Sequence, residues 1–476
     1  MPHKDLRDWL TQVEELGELK VVEGVHWDLE IGVITEELFR RRGPALVFDG
    51  IPGYPKGYWV LVNALGSPKR LAFTLGLPPD RELRKLLKPW REKSHSLKPI
   101  PMKYVEDGPV MENVYFDQDV DVLKFPAPKW HEYDGGRYIG TGSVDITVDP
   151  EEGWVNLGTY RVMIHDRNHV GFYISPGKQG RMHRERWFAK KEKMPVAISI
   201  GHDPLIYLAG GLEIPYGLCE YDWIGGVKGE RVEVIKGRIT GLPIPAHAEI
   251  VLEGFADPSH QLPEGPFGEW TGYYASGERA EPVIEVKAVY HRNDPIILGS
   301  PPGKPPTELH FYRAFLRSVA IQEQLEKAGI PGVKGVWCHE VGESRLFTVV
   351  AIEQRYAGHA KQAGVVASQC QAGAYLGRFV VVDDDIDIMD LNDVMWAVCT
   401  RVDPAQDIDI LHRCWSGPLD PMLSPSQRER KEFFNSRAII DATRPFEWRD
   451  RFPRVSESSP QVRERILNKW AERVFS

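Results

Sequence analysis

The period of the hydrophobic positions changes along the chain, and those changes divide it. Near the start, Leu6, Trp9, Leu10, Val13 and Leu16 recur at helical spacing, and Gly17 follows as a stop. The pattern then predicts a helix over 29–41, a short strand at ALVFDG and another at YWVLVNAL. Residues 1–100 therefore read as a small α/β domain. Residues 101–305 change to strand-like runs: SVDITV, GTYRVMIH, HVGFYIS, VAISIG, AEIVLEGF, PVIEVKAVYH and PIILGS, parted by Gly, Pro, Asp and Asn. Hairpins are expected at Asp166-Arg167-Asn168 and at Arg292-Asn293-Asp294. Many short strands of this kind suggest an antiparallel β-barrel. Residues 306–328 carry one long helical pattern, closed by Gly329 and Pro331, which reads as a linker helix. Residues 329–476 alternate again: LFTVVAIE, a helix near 358–377, RFVVVDDD, a helix near 390–400, IIDAT, and a final helix from about 460. A terminal helix of that kind often docks on a neighbouring element or a partner subunit.

Composition narrows the class. A chain of 476 residues is too long for one core and suits several domains. A net charge of -9 argues against nucleic acid as the main partner, yet leaves room for a local basic pocket. The five cysteines are scattered, with no CxxC pair, which fits reduced thiols and gives no zinc framework. The start, MPHKDLRDWL, is not a signal peptide, and no apolar run is long enough to span a bilayer. The expected location is the cytoplasm.

The densest candidate chemistry lies in the strand-rich region. Asn156 and Arg161 are five apart, so an unbroken strand puts them on opposite faces; a bulge or twist at Gly158 brings both to one site. Taken alone, the segment also reads as a strand with an exposed Arg and a turn Asn. Glu220 stands among apolar residues and needs a partner, either an Arg or a cation. In LPEGPFGEWTGYY, Glu264 and Glu269 flank Gly-Pro-Phe-Gly beside Trp270, Tyr273 and Tyr274. Two nearby carboxylates in an apolar loop push each other's pKa values apart, and the one more easily protonated suits a general acid. His359 and Lys361 precede a helix where a phosphate is one possible occupant and solvent the other. The acidic run 383–387 reads as a solvated turn. Pro301 to Tyr312, with His310 and Phe311, is a candidate substrate wall.

Taken together, the segments resemble the UbiD-like decarboxylases. The resemblance covers nearly the whole chain. It rests on N-x-G-x-Y-R at Asn156 to Arg161, Glu220-Tyr221, EIVLEG at 249–254, PEGPFGE-x-TGYY at 263–274, and the DDD-x(6)-LNDVMWAV block. It implies a small N-terminal α/β domain, a central split antiparallel β-barrel of the flavin-reductase type, a linker helix and a C-terminal α/β oligomerisation domain, assembled as a dimer or hexamer. It implies prenylated FMN, supplied by a flavin prenyltransferase, with its phosphate held through Mn²⁺ or Mg²⁺ and K⁺ nearby. Asn156 and Glu220 fall on two of the family's metal-ligand positions. Gln179 falls on the third, where histidine is common. Lys361 matches a phosphate-contacting lysine. Arg161, Glu264 and Glu269 match the catalytic network: Arg161 pairs with the substrate carboxylate, Glu264 holds Arg161, and Glu269 donates the proton after CO₂ leaves. The implied reaction is reversible decarboxylation of an aromatic or α,β-unsaturated acid. Two alternatives remain at this stage: a two-carboxylate hydrolase of the glycosidase type using Glu264 and Glu269, and an inactive flavin-binding assembly subunit, which Gln179 keeps open.

Overall fold

The first helix forms where the sequence places it, over Leu6–Glu15, because the Asp5 carboxylate accepts the Asp8 N–H at its start. Its Leu6, Trp9, Leu10 and Val13 are buried on a sheet that carries Ala45 and Leu61. In the computed structural model, residues 3–212, 214–275, 277–373 and 377–475 are described. The N-terminal sheet runs Leu19–Glu23, Ala45–Asp49, Trp59–Val62 and Ile296–Gly299. Its last strand comes from the far end of the strand-rich region and pairs in parallel with Trp59–Val62. The expected hairpin at Arg292-Asn293-Asp294 is therefore not formed. Asp294 turns the chain at φ 50°, and Arg292 donates to Asp5 (2.9 Å) and Glu249 (3.3 Å), which fastens the turn to the N-terminal helix start. The other hairpin does form: the His165 N–H donates to the His169 carbonyl at 3.0 Å.

The central sheet is antiparallel throughout. Its order is His169–Gly171, Arg279–His291, Ile250–Glu264, Met194–Ile200, Val144–Val148, Val155–Gly158, with Asn113–Phe116 also paired to Arg279–His291. Among the described residues no ladder joins its two ends, so no closed barrel is found. The chain leaves the ladder at Gly158, and Val162–Met163 pairs apart from it with Tyr138–Gly140. Three helices lie between the runs that the sequence pattern presented as strands: Gln179–Ala189, Pro204–Gly210 and Glu220–Lys228.

The long helix Glu308–Lys327 starts at the Thr307 cap and leads into the C-terminal sheet. That sheet is ordered Val333–Cys338, Phe347–Ile352, Arg378–Asp383, Phe434–Ala442, Ile408–Trp415, parallel in its middle and antiparallel at both edges. Alternation along the strands divides it into two buried faces. Ala360 and Ala363 of the helix His359–Gln369 pack with Val350 and Val381, while Val394 and Ala397 of Leu391–Arg401 pack with Val349 and Val380. The helix expected over 358–377 ends at Gln369, and 374–376 lie outside the described residues. The acidic run is a solvated turn only in part: Asp384 and Asp385 turn the chain and are exposed, but the flanking aspartates are held by cations. Asp383 is buried against Arg401 and Arg444, Asp385 pairs with Arg401, and Asp387 reaches Arg84. The last helix, Pro460–Val474, buries none of its residues.

Candidate active site

Gly158 ends its strand because Tyr160 folds back over it. A Cβ there would lie 2.2 Å from the tyrosine ring, so only glycine fits. This bend brings Asn156 and Arg161 to one cavity of about 290 Å³, despite their odd spacing. Opposite, the strand Ile250–Glu264 ends in Gly265, held at φ 83°. The following loop is tied by the Glu269 N–H donating to Tyr273 (3.0 Å) and by the buried His310 ring meeting the Trp270 carbonyl at 2.9 Å.

Three charged side chains meet here. Arg161 donates through Nε (2.7 Å) and Nη2 (2.8 Å) to the two oxygens of Glu264, and through Nη1 to Glu269. Arg161 and Glu269 line the cavity, whereas Glu264 lies behind Arg161 with both oxygens occupied. Burial pushes the Glu269 carboxyl above the usual range, with Arg161 and Arg279 pulling the other way. Burial disfavours the Arg161 charge, but Glu269 and Glu264 outweigh it and hold the guanidinium above its ordinary value. The guanidinium lies 4.4 Å from the centre of the Tyr173 ring.

At another part of the cavity wall stand Asn156, Gln179 and Glu220. Gln179 and Glu220 are the first residues of their helices, and Asn156 lies within its strand. Glu220 is 2% exposed and accepts the Leu157 N–H at 2.7 Å. Burial pushes its carboxyl up to about 8, and no cationic side chain pairs with it among the described residues. The Asn156 amide donates to Thr147 and the Gln179 amide to the Ile214 carbonyl, leaving amide oxygens as ligands. A buried carboxylate lacking a counter-charge, joined by two neutral oxygens, fits a hard divalent cation. Gly158, Gly177, Gly210 and Gly211 also line the cavity, with Lys178, Arg313 and Arg345 among its basic residues. Such a wall lets a flat, phosphate-bearing group approach the backbone closely.

Two sequence expectations fall elsewhere. Lys361 is exposed and pairs with Asp409 at 2.7 Å, away from the cavity; Gln371, just beyond the same helix, lines it instead. His310 and Phe311 are buried in the long helix, so from the expected substrate wall Pro302 and Leu309 reach the cavity. One residue that sequence reasoning missed is Asp145, fully buried beneath the Asn156 strand with no hydrogen-bond partner for either oxygen among the described residues. The alternation of SVDITV gave no signal of it.

The chain matches three family descriptions in order: the N-terminal domain of 3-octaprenyl-4-hydroxybenzoate carboxy-lyase over residues 10–90, its Rift-related domain over 103–305, and its C-terminal domain over 310–442. It is 30% identical to pyrrole-2-carboxylic acid decarboxylase of Pseudomonas aeruginosa, covering 99% of this chain and 98% of the relative. The UbiD-class enzyme HmfF of Pelotomaculum thermopropionicum, solved with FMN, superposes with a TM-score of 0.84 at 29% identity, covering 98% of this chain and 100% of that one. Vanillic acid decarboxylase of Sedimentibacter hydroxybenzoicus in its closed form gives 0.84 at 29% identity, with 99% of each chain covered. The chain belongs to the UbiD family of carboxy-lyases.

Proposed function

We propose that this carboxy-lyase removes CO₂ reversibly from an aromatic or α,β-unsaturated carboxylic acid, with Arg161 as the carboxylate clamp and Glu269 as the proton donor. The observation that carries the reading is the arginine held between two buried glutamates at the cavity wall. Arg161 has five N–H donors, and three are engaged by Glu264 and Glu269. Two remain for a substrate carboxylate. With both glutamates ionised, the trio carries a net negative charge and repels an anionic substrate. Protonating Glu269, the carboxyl that burial already pushes up, makes the trio neutral and leaves its proton in place for transfer. When CO₂ departs, the Glu269 proton goes to the carbon that held it, and solvent then reprotonates the glutamate. Glu264, occupied on both oxygens, holds the guanidinium plane; this disfavours the hydrolase alternative, which needs Glu264 facing substrate.

Prenylated FMN, when bound, supplies the electron sink for the carbon that loses CO₂. Asn156, Gln179 and Glu220 would hold its phosphate through Mn²⁺ or Mg²⁺, with K⁺ as the companion ion. The exposed Val462, Ile466, Leu467 and Trp470 of the terminal helix support a homo-oligomer. The unpaired cysteines fit a cytoplasmic location, and no helix among the described residues is long and apolar enough to cross a membrane.

The test is co-expression with a flavin prenyltransferase, followed by CO₂ measurement over a panel of aryl and α,β-unsaturated acids. Turnover of at least one acid by flavin-loaded protein is expected. Absence of turnover across the panel, with flavin demonstrably bound, counts against the reading.

A further inference from the structure

The trio Asn156, Gln179 and Glu220 contains a single carboxylate, so in the absence of flavin phosphate it neutralises only half the charge of a divalent ion. A second buried carboxylate, Asp145, stands on the strand paired with that of Asn156. Asp145 sits directly across the antiparallel ladder from Gly158, and Thr147, two residues on, sits across from Asn156. Directly opposed residues share a face, so Asp145, Thr147, Asn156 and Gly158 all lie on one side of the sheet. The diagonal from Asp145 to Asn156 spans about 7–8 Å between backbones. The helix that begins at Gln179 packs over that face, with the Gly180 N–H donating to the Tyr160 hydroxyl at 3.1 Å. That hydroxyl lies over Gly158, bonds Asn156, and feels the charges of both Glu220 and Asp145. Asp145 is 1% exposed, and neither of its oxygens has a hydrogen-bond partner among the described residues. An ionised carboxylate in such a place is strongly disfavoured unless a positive charge lies near.

We propose that Asp145 is the second anionic group of the cation site, a positioning residue that acts from behind Asn156 and Tyr160 without touching the ion. In the protein without flavin phosphate, Asp145 and Glu220 together supply two negative charges against the two of a divalent cation. This rests on the reading that Asn156, Gln179 and Glu220 hold a divalent ion.

The test needs no flavin and no substrate. Mn²⁺ binding to chelator-stripped protein is measured by calorimetry, together with the Mn²⁺-induced rise in melting temperature. The proteins are wild type, Asp145→Asn, Asp145→Thr and Glu220→Gln. Glu220→Gln is expected to abolish binding. Both Asp145 variants are expected to bind roughly 10–100-fold more weakly, as loss of an outer-shell partner does. Without metal they should melt no lower than wild type, because a buried carboxyl whose oxygens have no hydrogen-bond partner among the described residues has been removed. Wild-type Mn²⁺ affinity in either folded Asp145 variant, while Glu220→Gln loses it, overturns the role of Asp145 alone. Wild-type affinity in Glu220→Gln overturns the underlying trio instead.

Discussion

At the scale of single residues, the chemistry depends on which N–H groups of Arg161 are already taken. Its Nε and Nη2 face one carboxylate in a two-point grip, which an ammonium cannot reproduce. Arg161→Lys should therefore raise KM for the acid by roughly 10-fold or more, the worth of a lost charged hydrogen bond. Steady-state kinetics on the flavin-loaded variant check this, and an unchanged KM argues against carboxylate binding there. These residues were legible in the sequence because family spacing marked them. Asp145 was not. In SVDITV it alternates with Val144 and Ile146, a pattern that ordinarily means a solvent-facing side chain. A helix covers that face, so both faces of the strand are buried.

At the scale of elements, the site depends on where regular structure stops. Asn156 and Arg161 share a cavity because the strand ends at Gly158 and Tyr160 closes over it. Gly158→Ala should displace that ring, cost about 1–3 kcal/mol of stability as overpacking does, and reduce both Mn²⁺ affinity and turnover. Denaturant unfolding and metal titration of the variant test it; wild-type behaviour in both shows that the bend does not depend on glycine. Strand periodicity revealed the ladders but hid the helices that carry Gln179 and Glu220. The Glu220 helix reads EYDWIGGVK, and its paired glycines weaken any helical signal. The helix Pro204–Gly210 was passed over as well, although Asp203 caps its start and Pro204 opens it. Barrel closure was not legible for a related reason. Strand count is visible in a sequence, but closure depends on which edges meet, and local patterning does not encode that.

At the scale of the whole molecule, the N-terminal and central regions are not separable beads. Ile296–Gly299 returns from the strand-rich region to complete the N-terminal sheet, and Arg7 and Arg292 both bind the buried Glu249. His202, buried in the same region, gives the fold a pH dependence. Burial holds its imidazole down to about 3, against an ordinary value of 6.5. The fold favours the neutral ring, so this contribution to stability is present above about pH 6.5 and is lost as pH falls through about 3. Melting curves across that window should show the loss, and His202→Gln should flatten it; an equal slope in the variant assigns the acid sensitivity elsewhere. The terminal helix Pro460–Val474 leaves Ile466 and Trp470 exposed. Ile466→Asp with Trp470→Glu should lower the mass seen by sedimentation velocity, and an unchanged mass removes that helix from the assembly contact.

The most direct test of the central claim is the rate of CO₂ release by Glu269→Gln, compared with wild type at flavin occupancy matched by absorbance. The arrangement at Arg161 predicts that flavin stays bound while turnover falls by roughly 10²-fold or more, the scale of lost general-acid catalysis. Turnover at the wild-type rate would contradict Glu269 as the proton donor.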